Sequence, residues 1–224
     1  MKPASRYFKI VVVDDHPVFR EGLVRILNRE PDLQVIAEAG DAVEAQRLVR
    51  KLKPELVMVD ISLDGSNGID LTKSLRGEFP TIAILVLSMH KETIYAERAM
   101  RAGANGYIMK RENGRELLAA VRQVLNKKLY LSQDVTELML QRRLNSDAPE
   151  NRPVVDLLSD RELQIYQLIG DGYGTRQIAE SLNLSMKTVE THREHIREKL
   201  NLNSSFELTQ HAIHWARQED QPSV

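Results

Sequence analysis

Four short apolar runs in the first half of the chain each end in a polar or charged residue. Each run has the length and the aliphatic, β-branched composition of a buried strand. The segments between them carry apolar residues at helical spacing, so strands alternate with helices. This alternation is the strongest constraint on the fold, because it predicts a parallel sheet with helices on both faces. The runs occupy residues 10–13, 56–59, 82–87 and 106–109.

The same pattern predicts five strand and helix units, which together make one α/β domain over residues 1–128. Its predicted architecture is a doubly wound, five-stranded parallel sheet. We predict strands near 8–14, 33–37, 56–60, 82–88 and 106–109, and helices near 17–29, 41–52, 67–77, 91–102 and 114–127.

The residues that follow the strands are candidates for one shared site. Because the carboxyl ends of parallel strands meet at one edge of the sheet, we expect Asp14, Asp15, Asp60, Ser88 and Lys110 to converge. A serine, lysine or carboxylate at one strand end is usually a cap or a solvated residue, but the coincidence at four strand ends favours a site. The acids suit Mg2+. Asp60 would be a nucleophile toward phosphorus, with Lys110 and Ser88 stabilising the phosphoryl oxygens.

The second half of the chain is predicted to be a separate helical domain. At 224 residues the chain has room for two domains. A helix over Gln133 to Leu144 precedes Asn145 to Pro153, a polar segment with two prolines that is typical of a linker. We therefore assign residues 129–153 to a helical extension and linker, and residues 154–224 to the second domain.

Four short helices are predicted in this second domain. The first begins at the capping box Ser159–Glu162 and ends near the glycines of 170–174. The others span 175–182, 186–200 and a stretch from Ser204 toward Trp215. Their short connections, with the second and third helices closely joined, are typical of a helix-turn-helix.

The charge of this domain argues against a simple nucleic-acid binder. From Val154 to the end there are seven Lys and Arg against eleven Asp and Glu, a net charge of −4, whereas the preceding part carries 24 against 21. The distribution of charge within the domain must therefore decide whether it binds nucleic acid.

The chain has no cysteine, signal peptide or membrane-length apolar stretch, so we expect a cytoplasmic protein without disulfides or thiolate metal sites.

The third helix of this domain has one apolar face and one charged face. Val189, Ile196 and Leu200 share the face that must pack. Glu190, Glu194 and Glu198 lie four residues apart on the charged face and repel one another. Salt bridges within the helix therefore explain the residues of this face poorly. An outward face flanked by cations is typical of a recognition helix, whose centre reads bases while its flanks contact phosphates. The outward and flanking residues are Lys187, Glu190, Thr191, Glu194, Glu198, Arg193, Arg197 and Lys199.

The fourth helix combines core-like and interface-like residues. Leu208, Ala212 and Trp215 are spaced for packing, and we expect Trp215 to be internal. The histidines here are widely spaced and lack carboxylate or thiolate neighbours in the sequence, so no metal site is expected among them.

Residues 8–127 resemble the receiver domain of a two-component response regulator. The motifs that carry the resemblance are Val-Val-Asp-Asp-His-Pro at 12–17, Val-Asp-Ile-Ser-Leu at 59–63, Leu-Ser at 87–88 and Ala-Gly-Ala-Asn-Gly-Tyr-Ile-Met-Lys at 102–110. The resemblance implies a flavodoxin-like sheet of order 2-1-3-4-5. A departure is Asp64, where the family usually carries proline.

Roles for individual residues follow from this resemblance. Asp60 is implied to be the phosphoacceptor, and Asp14 and Asp15 to hold Mg2+ (or Mn2+) together with Asp60 and the backbone carbonyl of Ser62. The implied switch and phosphate-binding residues are Ser88, Lys110 and Tyr107, whose rotamer follows the state of Ser88.

Residues 157–215 resemble the LuxR-type helix-turn-helix of regulators of the NarL and FixJ kind. The matching motifs include Leu158-Ser159-Asp160-Arg161-Glu162 and Lys187-Thr188-Val189, with departures at Gly174, Thr175 and Gln177. The resemblance implies DNA phosphate contacts by Ser185, Lys187, Thr188, His192, Arg193 and Arg197, and base reading by Glu190, Thr191 and Glu194.

We therefore expect a phosphorylation-dependent, DNA-binding transcriptional regulator that is not an enzyme. The expected partners are a histidine kinase, double-stranded DNA and a second copy of the chain, with RNA polymerase as a further candidate and no membrane. Two alternatives stay open. One is an aspartate-nucleophile phosphatase or phosphotransferase, which would commonly carry a second carboxylate where Ser62 stands. The other is a regulator whose acidic helical domain binds protein.

Overall fold

The computed structural model describes residues 7–63, 65–89, 92–144 and 154–220. Asp64 and the predicted linker segment 145–153 lie outside these residues. Close contacts divide the chain into two compact units, Met1–Asn145 and Ser146–Val224. In the described residues, no helix is long and apolar enough to cross a bilayer.

The first unit is a parallel sheet with helices on both faces, as the alternation predicts. The strands of the main sheet are β1 (Phe8–Val13), β2 (Leu33–Ala39), β3 (Leu56–Asp60), β6 (Ala83–Ser88) and β7 (Gly106–Met109), in the order β2-β1-β3-β6-β7. This is the predicted order 2-1-3-4-5, because β4 (Ser62–Leu63) and β5 (Ser66–Asn67) form a separate antiparallel hairpin. The helices are α1 (Pro17–Leu27), α2 (Ala42–Leu52), α3 (Gly68–Glu78), α4 (Glu92–Arg101), α5 (Gly114–Leu125) and α6 (Gln133–Leu144).

Alternate residues of each strand enter two different cores. On β1, Ile10 and Val12 belong to the core beneath α1 and α5, whereas Val11 and Val13 belong to the core beneath α2 and α3. All four side chains are fully buried. A strand with both faces covered must be apolar at every position, and this is why the strands stand out as continuous apolar runs.

The chain after α5 returns to the edge of the main sheet. The backbone N–H of Tyr107 donates to the carbonyl of Tyr130 at 3.0 Å, and the N–H of Tyr130 donates to the carbonyl of Asn105 at 3.0 Å. The helical extension therefore begins with a residue that pairs beside β7. The sequence pattern does not predict this pairing, because one bridging residue carries no strand periodicity.

The second unit contains the four predicted helices after a short 3-10 turn at Val154–Leu157. They are α7 (Asp160–Gly170), α8 (Thr175–Ser181), α9 (Met186–Lys199) and α10 (Ser205–Asp220). Both halves of the predicted capping box at Ser159 and Glu162 are present at the start of α7. Asn183 and Asn201 adopt positive φ in the turns after α8 and α9, a conformation that asparagine tolerates.

Candidate functional site

The strand-end residues converge at the carboxyl edge of the sheet. Lys110 Nζ lies 2.6 Å from Asp60 Oδ2 and 2.8 Å from Asp14 Oδ2. The side chains of Asp14, Asp60 and Lys110 are 0%, 1% and 4% exposed. One buried ammonium thus faces two buried carboxylates, an arrangement that leaves excess negative charge in a region of low dielectric.

Backbone groups help to hold two of the three carboxylates of this cluster. The N–H of His16 donates to Asp14 Oδ1 at 2.9 Å, and the N–H of Ser62 donates to Asp60 Oδ1 at 3.3 Å. Asp15 is one residue along the chain and keeps about a quarter of its side chain exposed. The sheet therefore places two carboxylates inside the protein and the third at the mouth of the site.

Burial controls the protonation of Asp60. The pKa of this carboxyl is raised to about 7; removal from water is the largest cause and the neighbouring charge of Asp14 adds to it, while the ammonium of Lys110 and the Ser62 N–H act in the opposite direction. An additional cation at the cluster would favour the ionised carboxylate. Without one, Asp60 is partly protonated at neutral pH.

The donor set of the cluster fits a hard divalent cation. Asp14, Asp15, His16 and Asp60 bring potential ligand atoms within 4.8 Å of one another. Two buried oxygens, Asp14 Oδ2 and Asp15 Oδ1, receive no hydrogen bond of normal geometry among the described residues. Carboxylates at one focus are the ligands that Mg2+ takes in proteins.

Ser88 and Tyr107 lie on the two neighbouring strands at the same edge. Both side chains are buried, and the hydroxyl of Ser88 is hydrogen-bonded to the phenol of Tyr107. Burial raises the pKa of the phenol far above its usual value, with the Ser88 hydrogen bond acting in the opposite direction. The backbone N–H of Lys110 donates to the Ser88 carbonyl at 2.7 Å. Displacement of Ser88 would therefore disturb its hydrogen bonds with both Tyr107 and Lys110.

Three residues of the site were missed at the sequence level. His16 Nδ1 lies 2.6 Å from Asp15 Oδ1, 3.3 Å from Asp14 Oδ1 and 3.9 Å from Asp60 Oδ2. The Phe19 ring centroid lies 4.7 Å from Lys110 Nζ, a cation–π contact. Arg20 Nη1 donates to the Asp14 carbonyl. Their position in the sequence could have indicated them, because all three residues follow the acid pair and lie within two turns of the start of α1.

A glycine that carries no chemistry sets the position of Asp60. A β-carbon on Gly68 would lie 1.9 Å from the main-chain oxygen of Asp60 and 2.8 Å from Cα of Ile61. The N–H of Gly68 donates to the Ile61 carbonyl at 2.8 Å. The start of α3 can pack this closely on the end of β3 only because residue 68 has no side chain.

In the second unit, α9 presents the polar face that the sequence predicts. Val189 and Ile196 are fully buried, and Leu200 is buried just past the end of the helix. The base-reading candidates Glu190, Thr191 and Glu194 are exposed, as is the phosphate candidate Lys187. The phosphate candidates Thr188, His192, Arg193 and Arg197 are half-buried, and Ser185 is exposed.

Local hydrogen bonds already engage several of these side chains. Ser185 is the N-cap of α9 and accepts from the Thr188 N–H at 3.0 Å, so both hydroxyls take part in helix capping. Arg197 Nη2 donates to Glu194 Oε1 at 2.7 Å. The prediction that pairing within the helix explains this face poorly is wrong for Glu194, because its partner lies at i,i+3 rather than at i,i+4.

The fourth helix of this unit, α10, packs against α7. Leu208 and Ala212 are fully buried. Trp215 is only partly buried, with its ring centroid 5.2 Å from that of Tyr166. The Tyr166 hydroxyl is hydrogen-bonded to His211 Nδ1 at 2.5 Å. Trp215 is thus less internal than predicted, because the fully buried Tyr166 occupies the core position beside it.

The histidines of α9 do have a carboxylate neighbour. Glu162 of α7, His192 and His195 bring potential ligand atoms within 4.8 Å of one another. The sequence does not indicate this neighbour, because Glu162 lies thirty residues before His192 in the chain and only the packing of α7 on α9 brings the two close.

Comparison with known proteins identifies relatives of both units. The family model described as "Response regulator receiver domain" matches residues 10–122, and the model described as "Bacterial regulatory proteins, luxR family" matches residues 156–212. The oxygen regulatory protein NreC of Staphylococcus aureus (strain JH9) is 39% identical over 209 residues, which cover 92% of this chain and 96% of NreC.

Solved structures resemble the fold as well. A LuxR-family two-component response regulator from Aurantimonas sp. SI85-9A1 is 37% identical with a TM-score of 0.58, over 62% of this chain and 99% of that chain. RcsB from Salmonella enterica serovar Typhimurium, bound to promoter rprA in the presence of phosphomimetic BeF3-, is 22% identical with a TM-score of 0.62 over 93% of this chain and 99% of that chain. At that identity the RcsB likeness supports the fold alone.

Proposed function

The chain belongs to the response regulators of two-component systems and is a phosphorylation-dependent, DNA-binding transcription regulator, and we propose that Asp60 is its phosphoacceptor. The observation that carries this proposal is the position of Asp60 at the carboxyl edge of the sheet, 2.6 Å from the buried ammonium of Lys110 and beside Asp14. We propose the domain limits 1–128 for the receiver, 129–153 for the helical extension and linker, and 154–224 for the DNA-binding domain.

In the proposed reaction, an Asp60 carboxylate oxygen bonds to phosphorus while the phosphorus–nitrogen bond of a kinase phosphohistidine breaks. The donor imidazole leaves with the electron pair of that bond. The Lys110 ammonium stabilises the charge on the phosphoryl oxygens, which is the main requirement of phosphoryl transfer. The Ser88 hydroxyl then donates to a phosphoryl oxygen and gives up its hydrogen bond to Tyr107.

We propose that Asp14, Asp15, Asp60 and the backbone carbonyl of Ser62 hold Mg2+ (or Mn2+). When bound, the cation offsets the repulsion among the carboxylates and the charge of the incoming phosphoryl group. This role is supported by the convergence of the Asp14, Asp15 and Asp60 carboxylates, whose potential ligand atoms lie within 4.8 Å of one another. The bound cation would also counteract the raised pKa of Asp60, because nucleophilic attack requires the ionised carboxylate.

The surface beside the site suits an apolar region of the phosphodonor. A cavity of about 520 Å³ lies between α1 and the loop before α5, bordered by His16, Phe19, Ile26, Lys110 and Leu117. Val18, at its rim, is 86% exposed. An apolar side chain of the kinase placed in this cavity would position its phosphohistidine beside Asp60.

The proposed output is insertion of α9 into the major groove. Lys187, Arg193, Arg197, Ser185, Thr188 and His192 would contact phosphates, and Glu190, Thr191 and Glu194 would face base edges. A homodimer would bind two half-sites. RNA polymerase is a further proposed partner, and the cytoplasm is the proposed location because promoter DNA lies there.

Phosphorylation of purified protein with a small phosphoramidate donor and Mg2+ tests the acceptor. Asp60→Asn should abolish the hydroxylamine-labile acyl phosphate adduct seen by intact-protein mass spectrometry. Asp41→Asn is the matched control, because Asp41 only caps α2. Retention of the adduct on Asp60→Asn would contradict the assignment. Sustained turnover of a small phosphate ester would favour the enzyme alternative, which we set aside because Ser62 stands where a second carboxylate is common.

Genome-wide DNA occupancy tests the output. Occupancy should differ between the native chain and Asp60→Asn, and unchanged occupancy would contradict phosphorylation control. Lys187→Ala should weaken binding to all sequences and lower the salt dependence by about one phosphate contact. Glu190→Ala should instead change base preference at one position of the half-site. DNA affinity insensitive to Lys187→Ala and Arg193→Ala would favour a protein-binding role for the helical domain.

A further inference from the structure

A second cluster of metal-ligating side chains lies in the helical unit, away from the acidic site of the receiver. Glu162 is in the first turn of α7, and His192 and His195 are both on α9. Residues three apart on a helix share a face, so the two imidazoles point to the same side of α9. Potential ligand atoms of all three residues lie within 4.8 Å of one another.

Glu162 has one carboxylate oxygen to spare in this cluster. The Lys199 ammonium and the Ser159 N–H both donate to Oε2, at 2.6 and 2.7 Å. The other oxygen, Oε1, faces His195 Nδ1 at 3.9 Å. The capping box and the lysine therefore hold the carboxylate in place without using the oxygen that faces the imidazoles.

His192 supplies an independent sign of a missing partner. Its Nδ1 atom is buried and has no hydrogen-bond partner in the described part of the chain. A buried polar atom without a partner is unfavourable and is uncommon in proteins. The neighbouring His195 ring packs edge-on at a centroid distance of 6.4 Å and does not satisfy this atom.

We propose that Glu162, His192 and His195 bind a divalent transition metal of the zinc class. Two imidazole nitrogens and one carboxylate oxygen are a common three-ligand zinc set, with water in the fourth position. Nitrogen donors distinguish this site from the all-oxygen sites that Mg2+ and Ca2+ prefer. In a tetrahedral zinc site with bonds of about 2.0–2.1 Å, the ligand atoms lie about 3.3 Å from one another. Rotation of the exposed His195 side chain can shorten the present distances to this value.

The bound metal would join α7 to α9, the helix that carries the proposed DNA contacts. His192 is also a candidate for phosphate contact, so the metal would restrict the imidazole that α9 could otherwise offer to DNA. Metal binding itself requires neither DNA nor phosphorylation. The site can therefore be tested separately from the proposed function.

The experiment is a Zn2+ titration of the full chain in excess Mg2+, which competes with Zn2+ for the acidic cluster of the receiver. Proton–nitrogen correlation spectra of the histidine side chains report which of the six histidines respond. Zn2+ should shift the resonances of His192 and His195 and leave those of His211 and His214 unchanged. Calorimetry under the same conditions measures the affinity.

Substitutions identify the ligands. His195→Gln should weaken Zn2+ binding by about tenfold or more, since even residues that only support a ligand contribute that much. His192→Gln should do the same, and His214→Gln is the matched control on α10. His195 is half exposed, so its substitution keeps the test valid even if His192→Gln does not fold. Circular dichroism checks each variant.

Two results would overturn the proposal. One is an unchanged Zn2+ affinity in both His192→Gln and His195→Gln. The other is binding that is lost only in His16→Gln, because that result would assign the metal to the acidic cluster of the receiver alone.

Discussion

Lys110 Nζ and Asp60 Oδ2 form a buried ion pair of 2.6 Å between the ends of β7 and β3. The same ammonium is 2.8 Å from Asp14 Oδ2. One cation thus serves two carboxylates that would otherwise repel each other inside the protein. The stability of this edge of the sheet and the proposed reactivity of Asp60 therefore depend on the same lysine.

Removal of the Lys110 charge should destabilise the receiver. We expect Lys110→Met to lower the free energy of unfolding by about 3–5 kcal/mol at pH 8 in the absence of Mg2+, because two buried carboxylates lose their partner. Hydrogen exchange of β3 amides measures this, since the single tryptophan, Trp215, reports only on the helical unit. Lys73→Met, on the exposed face of α3, is the control and should change stability by less than about 0.5 kcal/mol. Equal effects of the two substitutions would contradict the role of the pair.

The pKa of Asp60 predicts a specific pH dependence of stability. The unfolded chain has the ordinary value of 3.8, and the folded chain has about 7. Between these values the folded state binds more protons, so stability falls as pH rises and becomes constant above the folded pKa. Relative to Asp60→Asn, the native receiver should lose roughly 2–3 kcal/mol between pH 5 and pH 8 without Mg2+.

The same hydrogen-exchange measurement on both proteins at several pH values checks this. Addition of Mg2+ should reduce the pH dependence of the native chain, because the cation favours the ionised carboxylate. A native chain and an Asp60→Asn variant with parallel pH profiles would show that Asp60 is not buried in its protonated form.

Gly68→Ala should displace Asp60. The new methyl group would overlap the Asp60 carbonyl, and backbone cannot move aside as a flexible side chain can. We expect a loss of at least about 1–3 kcal/mol, the usual cost of overpacking, together with slower phosphorylation. Gly77→Ala in the same helix has open space around the new methyl group and should stabilise by about 0.5–1 kcal/mol. Unfolding experiments on the pair compare the two positions directly.

Gly106→Ala should detach the segment that pairs beside β7. Its β-carbon would lie 2.9 Å from the Tyr130 carbonyl oxygen and 3.0 Å from Val124 Cγ1. The Tyr107 N–H, which donates to that carbonyl, should then exchange faster with solvent. Gly22→Ala on α1 meets nothing within 4 Å and should leave this exchange unchanged. Unaltered protection of Tyr107 in Gly106→Ala would show that the segment does not depend on the pairing.

Much of the fold could be predicted because local patterns and tertiary structure agree. Strands buried on both faces are continuous apolar runs, and helix starts carry capping residues such as Ser159. The observed ends of some helices differ from the predicted ends by one or two residues, where a capping residue sets the end of the helix. The helix predicted to reach residue 29 ends at Leu27, with Asn28 as its C-cap. The hairpin of β4 and β5 was missed because two-residue strands have no periodicity.

The sequence by itself determined which residues stand at the ends of the parallel strands, because strand period and strand direction place them at one edge. It also determined the charged face of α9. Only the tertiary structure decided the close contacts: the sharing of Lys110 by Asp60 and Asp14, the place of His16 over the acids, and the meeting of Glu162 with His192 and His195. These contacts join residues far apart in the chain, and side-chain packing, which has no signature in local sequence, sets their distances.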